Sequence, residues 1–400
     1  MKWETVKLSE CCLSIADGDH QPPPKAEAGV PFVTISNINA SNQFDFSDTM
    51  FVPWDYYEHL DSKRKAQTGD VLYSVVGSFG IPVLIKENTP FVFQRHIAIL
   101  RPNERIFPAF LYYTMRSKGF YAKADAAAVG AAQRTISLNA LRNIEISLPP
   151  LCEQEAIVQK LSVYDDLIEN NQKQIKLLEE AAQRLYKEWF VDLRFPGYEN
   201  TPIINGVPEG WSKSIAESFF EITIGKTPPR AEKQWFVDGS SGIPWISISD
   251  MGNAGIYVFN SAEGLTEEAI KKHNIKIVPE GTILLSFKLT VGRVSITTSE
   301  MCTNEAIAHF RVNDIQRGYT YLYLKAFEYD KLGNTSAISK AVNSKIIKAM
   351  PFIMPDCKTL DSFSKIASPL FESIFAKQAQ NKMLVDARDR LLPRLMSGEI

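Results

Sequence analysis

No run of 18 apolar residues occurs in this 400-residue chain, so no stretch of it predicts a transmembrane helix. The opening MKWETVKLSE carries Glu4 and Glu10 and no apolar stretch, so a secretory leader is not expected and a cytoplasmic location is. Cysteine is sparse. Cys11, Cys12, Cys152, Cys302 and Cys357 are odd in number and never spaced CxxC, which fits a reducing compartment and argues against both a disulfide framework and a structural zinc site. The histidines (His20, His59, His96, His273, His309) are scattered without metal-ligand spacing. An excess of basic charge is missing too: 44 Lys and Arg stand against 46 Asp and Glu, for a net charge of −2. Nucleic-acid binders are usually basic, so any basic surface must be local. Residues 1–150 carry 15 basic and 15 acidic side chains, and 196–355 carry 16 and 16.

The reagents of catalysis are lacking as well. There is no [DN]PP[YFW] tetrapeptide of an amino-methyltransferase and no glycine-rich dinucleotide fingerprint. The GKT of 225–227 suggests a phosphate loop, but Phe220 stands where that motif needs a glycine, and two prolines follow where it needs a helix. No cofactor is expected in the chain, and the pattern is that of a binder.

What the chain does have is a long internal repeat. VPFVTISNI (30–38) returns as IPWISISDM (243–251), GDVLYSVVGSFG (69–80) as GTILLSFKLTVG (281–292), and RHIAILRPN (95–103) as EAIAHFRVN (305–313). RTISLNALRNIEISLP (134–149) aligns with KAVNSKIIKAMPFIMP (340–355). Periods of 20–50 residues mean solenoids; one near 200 means duplicated domains, which a chain of this length needs in any case. Within each copy, strands are expected near 30–38, 71–76, 82–86 and 91–101 with a helix at 107–117, and near 243–251, 282–288, 291–298 and 305–312 with a helix at 319–330. The Tyr and Phe residues of those two helices recur at helical spacing, which makes them a core stripe and not a base-stacking platform.

A long helical segment follows each copy. Ile157, Leu161, Tyr164, Ile168, Ile175, Leu178, Ala182, Leu185 and Trp189 fall at alternating 4-and-3 spacing, broken by Asn171, and no proline or glycine occurs from Cys152 to Asp192. This is a coiled-coil seam. In the second copy Phe363, Ala367, Leu370, Ile374, Leu384, Leu391 and Leu395 keep the register, Lys377, Asn381 and Arg388 interrupt it, and Pro369 is expected to kink the helix or split off its first turns. Each helix is about 60 Å long at ~1.5 Å per residue, and the two most simply pack antiparallel. The expected fold is therefore α+β: two similar mixed α/β domains (1–150 and 196–355) separated by two long antiparallel coiled-coil helices (151–195 and 356–400), an internal pseudo-twofold repeat.

Six polar loops recur at corresponding places: GDHQPPPK (18–25), SVVGSFG (74–80) and GAAQRTIS (130–137), then GKTPPR (225–230), SFKLTVGR (286–293) and NTSAISKAVNSK (334–345). Their glycines permit close approach, while Gln, Arg and Lys pair with base edges and hydroxyls hold phosphates. Singly, each reads as an ordinary turn; as a set repeated in both copies, they are the candidate DNA-binding surface. The residues are His20, Gln21, Ser78, Gln133 and Arg134 in the first copy, and Lys226, Thr227, Arg230, Lys288, Arg293 and Lys340 in the second.

With these loops and helices, the whole chain resembles the specificity subunit of type I restriction-modification systems. The most telling segments are GAAQRTISLNALRNIEISLPPLCEQEAIVQKL (130–161), GKTP (225–228) and SFKLTVGR (286–293); Gln154 of the first junction is replaced by Leu360 in the second. The resemblance implies two target-recognition domains that each read one half of a split, asymmetric sequence in double-stranded DNA. It further implies a non-catalytic chain that scaffolds two methylation subunits, which hold S-adenosylmethionine for adenine-N6 transfer, and restriction subunits, if present, that use ATP and Mg. No membrane partner is expected. The competing readings are a coiled-coil interaction scaffold with no DNA role, and a degenerate enzyme.

Overall fold

The structure, a computed structural model, describes residues 3–39, 41–130, 133–332 and 342–399. Packing divides the chain into two compact units, Met1–Glu169 with Met383–Ile400, and Asn170–Lys382. Each unit therefore contains one β-rich domain together with one end of each long helix.

In the first unit an antiparallel sheet runs in the order Cys12–Asp17, Ile97–Pro102, Val71–Ser74, Pro82–Leu84. A second sheet places Val30–Val33 between Met50–Val52 and Val92–Phe93, the latter pair parallel. The central strand Val71–Ser74 is buried on both faces. Val71 and Tyr73 join the core of Phe110 and Leu111 from the helix Pro108–Arg116, while Leu72 joins that of Val33, Phe93 and Ile97. Successive side chains of a strand point to opposite faces, so a strand between two cores reads as a continuous apolar run.

The second unit repeats this order as Glu221–Ile224, Ile307–Arg311, Ile283–Ser286, Val294–Thr297, with Tyr257–Val258 added in parallel at the edge. Its other sheet runs Phe236–Asp238, Glu263–Leu265, Ile243–Ile246, Cys302–Thr303. The register repeats as well: Leu72 lies opposite Ile99, and Leu284 opposite His309. The first domain is closed by pairing its first strand with its last, Glu4–Lys7 with Glu145–Leu148. In the second, Ser212–Ile215, which follows a short hairpin of Ile203–Ile204 and Val207–Pro208, pairs in the same way with the last strand, Pro351–Met354.

The expected strand at 91–101 is divided by a turn into Val92–Phe93 and Ile97–Pro102, which belong to different sheets, and two others stop well short of their sequence pattern. Val30–Val33 and Ile243–Ile246 end where a capping box begins, Thr34 with Asn37 and Ser247 with Asp250. In such a box each side chain satisfies the other residue's backbone amide, so TISN and SISD turn into short helical segments.

The long helices are Leu151–Tyr186, 36 residues ending in a wider π-type turn over Lys187–Val191, and Cys357–Met396, 40 residues. Pro369 does not split the second helix; it sits on the exposed side of a continuous element. In the second unit Asn171 Nδ2 donates to Gln380 Oε1 and Asn381 Oδ1, both at 2.9 Å, and the Trp189 ring packs 5.8 Å from that of Phe363. Numbers rise along one helix as they fall along the other, so the packing is antiparallel. In the first unit Ile157 and Leu161 share a core with Leu392 and Leu395, and Arg388 Nη1 lies 2.5 Å from Asp165 Oδ1. Of the four polar interruptions of the seam, Asn171 and Arg388 are thus buried and paired, Asn381 is a partner of Asn171, and Lys377 is half-buried.

Candidate nucleic-acid interface

The first loop of each copy lies against the turn that leads into the strand Ile97–Pro102 or Ile307–Arg311, with no room for a side chain. A Cβ on Gly18 would meet the Phe93 and Gln94 carbonyl oxygens at 2.2 and 2.5 Å; one on Gly225 would meet Thr303 Oγ1 and the Asn304 carbonyl at 2.0 and 2.1 Å. Asp19 N then donates to Phe93 O at 3.0 Å, and Lys226 N to Thr303 O at 2.9 Å. The second loop is closed by a serine hydroxyl in both copies. Ser74 Oγ accepts from Ile81 N at 2.8 Å and Ser286 Oγ from Arg293 N at 3.0 Å, while Gly80 N and Gly292 N each donate to that serine's carbonyl at 3.0 Å. Gly80 and Gly292 have φ of 90° and 91°, where a β-carbon would be strained. Val75 N donates to His96 O, and Phe287 N to Ala306 O, so both loops share a neighbour at one end of each domain.

The third loop joins them in the first unit, where Gly77 N donates to Arg134 O and Ile136 N to Val75 O. Its counterpart is represented by Val342 N, which donates to Phe287 O at 3.2 Å; Lys340 lies outside the described residues.

At the side-chain level the candidates separate into two kinds. Arg134 pairs with Asp125 at 2.8 Å, and Arg293 Nη1 donates to Ile248 O at 2.6 Å over Gly252, so both guanidiniums anchor loops. Lys226 Nζ reaches His273 O at 2.5 Å. Arg230 pairs with Glu263 at 2.8 Å and stacks over Phe236 and Trp245, 4.3 and 4.5 Å from their ring centres. Thr227 Oγ1 donates to Glu305 Oε2. His20 Nε2 lies 2.7 Å from Asp17 Oδ2, and Gln21 N donates to Asp19 Oδ1 at 3.3 Å. Ser78 and Gln133 are exposed at the loop tips, and Lys288 is half-exposed.

Two residues at this end escaped the sequence reading. Glu305 is ringed by three of the candidates. Burial alone would raise its carboxyl, but the Thr227 hydroxyl, its own backbone amide and the Lys288 and Arg230 charges hold it below the ordinary carboxylate value. The repeat puts Arg95 at the corresponding place, exposed and with no ion pair among the described residues. The alignment of 95–103 with 305–313 was the available signal: an arginine in one copy replaces a glutamate in the other. Among the described residues no His, Cys, Asp and Glu group could hold a metal ion, and no helix is long and apolar enough to cross a membrane.

Comparison with known proteins decides the family. The type I restriction modification DNA specificity domain family matches residues 1–180 and 208–381. The chain belongs to this family. Its specificity-subunit relatives include that of the type I restriction enzyme HindI from Haemophilus influenzae, 25% identical over 85% of this chain and 88% of the relative. A putative type I restriction enzyme MjaX specificity subunit from Methanocaldococcus jannaschii is 24% identical over 100% of this chain and 93% of that one. The crystal structure of a type I restriction-modification S subunit from M. genitalium shares the fold, with a TM-score of 0.57 and 16% identity over 98% of this chain and 96% of the other.

Proposed function

We propose that this chain is the DNA-recognition subunit of a type I restriction-modification complex and that each unit reads one half of a bipartite, asymmetric target. The observation that carries this reading is the loop end of each domain. The same glycine and serine scaffold recurs in both units, yet the residues it presents differ: Arg95 against Glu305, and Gly77 against Leu289. A repeated frame with divergent tips suits two readers of two different sequences. The eleven loop candidates remain the proposed DNA face, with Arg134 and Arg293 acting as its supports.

The division of labour assigns spacing to the helices. At ~1.5 Å per residue, 36 and 40 residues make rods of about 54 and 60 Å, long enough to hold two readers one or more turns of DNA (~34–36 Å) apart. The chain itself is non-catalytic in this reading. Two methylation subunits dock on it and supply S-adenosylmethionine; restriction subunits, where they join, supply ATP- and Mg-dependent cleavage. With a balanced charge on this chain, part of the phosphate contact falls to those partners, and binding weakens steeply with salt.

The test is to express the chain with its methylation subunits and map the adenine-methylated sequence. One methylated bipartite motif is expected. Deleting one heptad from both helices shortens each by about 10 Å and is expected to change the spacer length of that motif while leaving its bases unchanged. A change of bases at constant spacing defeats the assignment.

A further inference from the structure

The turn between Ser286 and Arg293 carries a side chain that the fold does not need. Leu289 has a φ of 60° and is 87% exposed. The left-handed conformation strains a leucine, whose Cβ crowds the backbone there, and the isobutyl group gains nothing from burial in return. The corresponding residue in the first unit is Gly77, with a φ of 79°, where the same backbone is free of that strain. Local relaxation is blocked on both sides. Arg293 N and Gly292 N are bonded to Ser286, and Phe287 N to Ala306 O at 2.9 Å. Strain that the surroundings hold in place, at a position where a glycine serves the sister domain, points to a use for the side chain.

Its neighbours say which use. Lys288 and Thr290 flank it, and Lys288 acts on Glu305, which also accepts from Thr227. An apolar tip between a cation and a hydroxyl, with a carboxylate nearby, matches the major groove. There a thymine offers a methyl group and a cytosine offers an amino donor to a carboxylate. The narrow minor groove, a region of concentrated negative potential, repels the carboxylate. We propose that Leu289 is a specificity-determining residue of the second unit, placing its side chain on the 5-methyl group of one thymine in that unit's half-site. This rests on the DNA-recognition reading above.

The experiment uses the complex assembled with its methylation subunits, on a duplex carrying its own methylated motif. Each thymine of the second half-site is replaced in turn by deoxyuridine, which lacks only the methyl group. At one position wild-type affinity is expected to fall about fourfold, the weight of one buried methyl. Leu289→Ala and Leu289→Gly are expected to bind the thymine and uracil duplexes equally there. The glycine variant also removes the backbone strain, so it folds at least as well as wild type. A half-site without thymine, a wild-type complex indifferent to every replacement, or a Leu289→Ala complex as sensitive as wild type overturns the contact. So does unstacking of a base step next to the loop, read by 2-aminopurine fluorescence, which marks a wedge in place of a methyl contact. Wild-type binding to the all-thymine duplex is read in the same assay. Its absence overturns DNA recognition itself, whereas binding without a methyl effect overturns the leucine contact alone.

Discussion

The two units share a skeleton and differ in what they hang on it. Gly18 and Gly225, Ser74 and Ser286, Gly80 and Gly292 do the same work at the same places. Where a residue closes a turn or permits an approach of backbone to backbone, the copies agree. Where it sits inside a core or at a tip, they part company. Gln154 in the first unit is fully buried; it accepts from Phe107 N and donates to the Arg105 and Pro149 carbonyls, all at 2.9 Å. Its counterpart Leu360 is buried in an apolar core. Each solution is complete in itself. Backbone conformation therefore constrained the duplication more tightly than side-chain chemistry, and chemistry is free to differ wherever both ends of an interaction can change together.

The helix pairs give the largest difference to test. In the first unit Arg388 is buried and bonded to Asp165, which also accepts from Tyr113 Oη at 2.7 Å. Arg388→Ala leaves that carboxylate short of its main partner at a cost of roughly 3–4 kcal/mol, moderated by Arg116 at 3.6 Å. In the second unit Asn171 is a neutral polar layer, and Asn171→Ala is expected to cost only about 1 kcal/mol. Hydrogen exchange resolved by segment checks this, with protection lost around 151–169 and 383–396 in the first variant and little changed in the second. Equal losses break the distinction between an ionic and a neutral seam.

The next effect separates the two sheets by pH. His309 lies in the second unit where the first has Ile99, hydrogen-bonded to Thr223 Oγ1 at 2.9 Å and Thr303 Oγ1 at 2.7 Å. Burial pushes its imidazole down to about 4. The unfolded chain takes up a proton near 6.5, so below that value the proton favours unfolding until the folded form accepts one as well. Stability of the second unit is thus full above pH 6.5 and falls by about 3 kcal/mol on descent to pH 4. His309→Ile is expected to abolish that slope and leave the first unit's pH dependence untouched. Urea unfolding at pH 7 and pH 4.5, followed in each unit by hydrogen exchange, reads both.

Much of this was legible in the chain because repetition carries information that a single copy does not. The duplication, the two β-rich domains, the long helices and their antiparallel seam all follow from periodicity and from matched segments. Asn171 and Arg388 stood out as polar residues on an apolar seam, but their partners could not be read, since each partner lies some 200 residues away. The pairing of first and last strands was hidden for the same reason. TISN and SISD carry an alternating pattern that predicts strand, but a capping box overlaps it and its local hydrogen bonds prevail. At the loop end, glycine positions were informative, but whether an arginine faces outward or anchors a turn depends on an acceptor such as Asp125 or the Ile248 carbonyl, which sequence spacing does not reveal. The charge exchange between Arg95 and Glu305 was visible in the aligned repeats and marks the position that sequence reasoning undervalued.

The smallest expected effects concern that end of each unit and differ in kind more than in size. Lys288 in the second unit replaces Val76 of the first, and a lysine beside a turn holds a phosphate as a point charge. Lys288→Ala is expected to weaken binding of every duplex alike, by about 1 kcal/mol, and to reduce the salt slope of the affinity by about one. Arg95 has a fork of donors suited to guanine. Arg95→Ala is expected to cost roughly 1–2 kcal/mol at a single base pair of the first half-site and nothing at the others. Measuring affinity of the assembled complex at two salt concentrations, against duplexes varied one position at a time, distinguishes the two signatures. A position-specific loss for Lys288→Ala with an unchanged salt slope makes it a base reader. A uniform loss for Arg95→Ala makes that arginine a backbone clamp, and the charge exchange between the copies then says nothing about which bases they read.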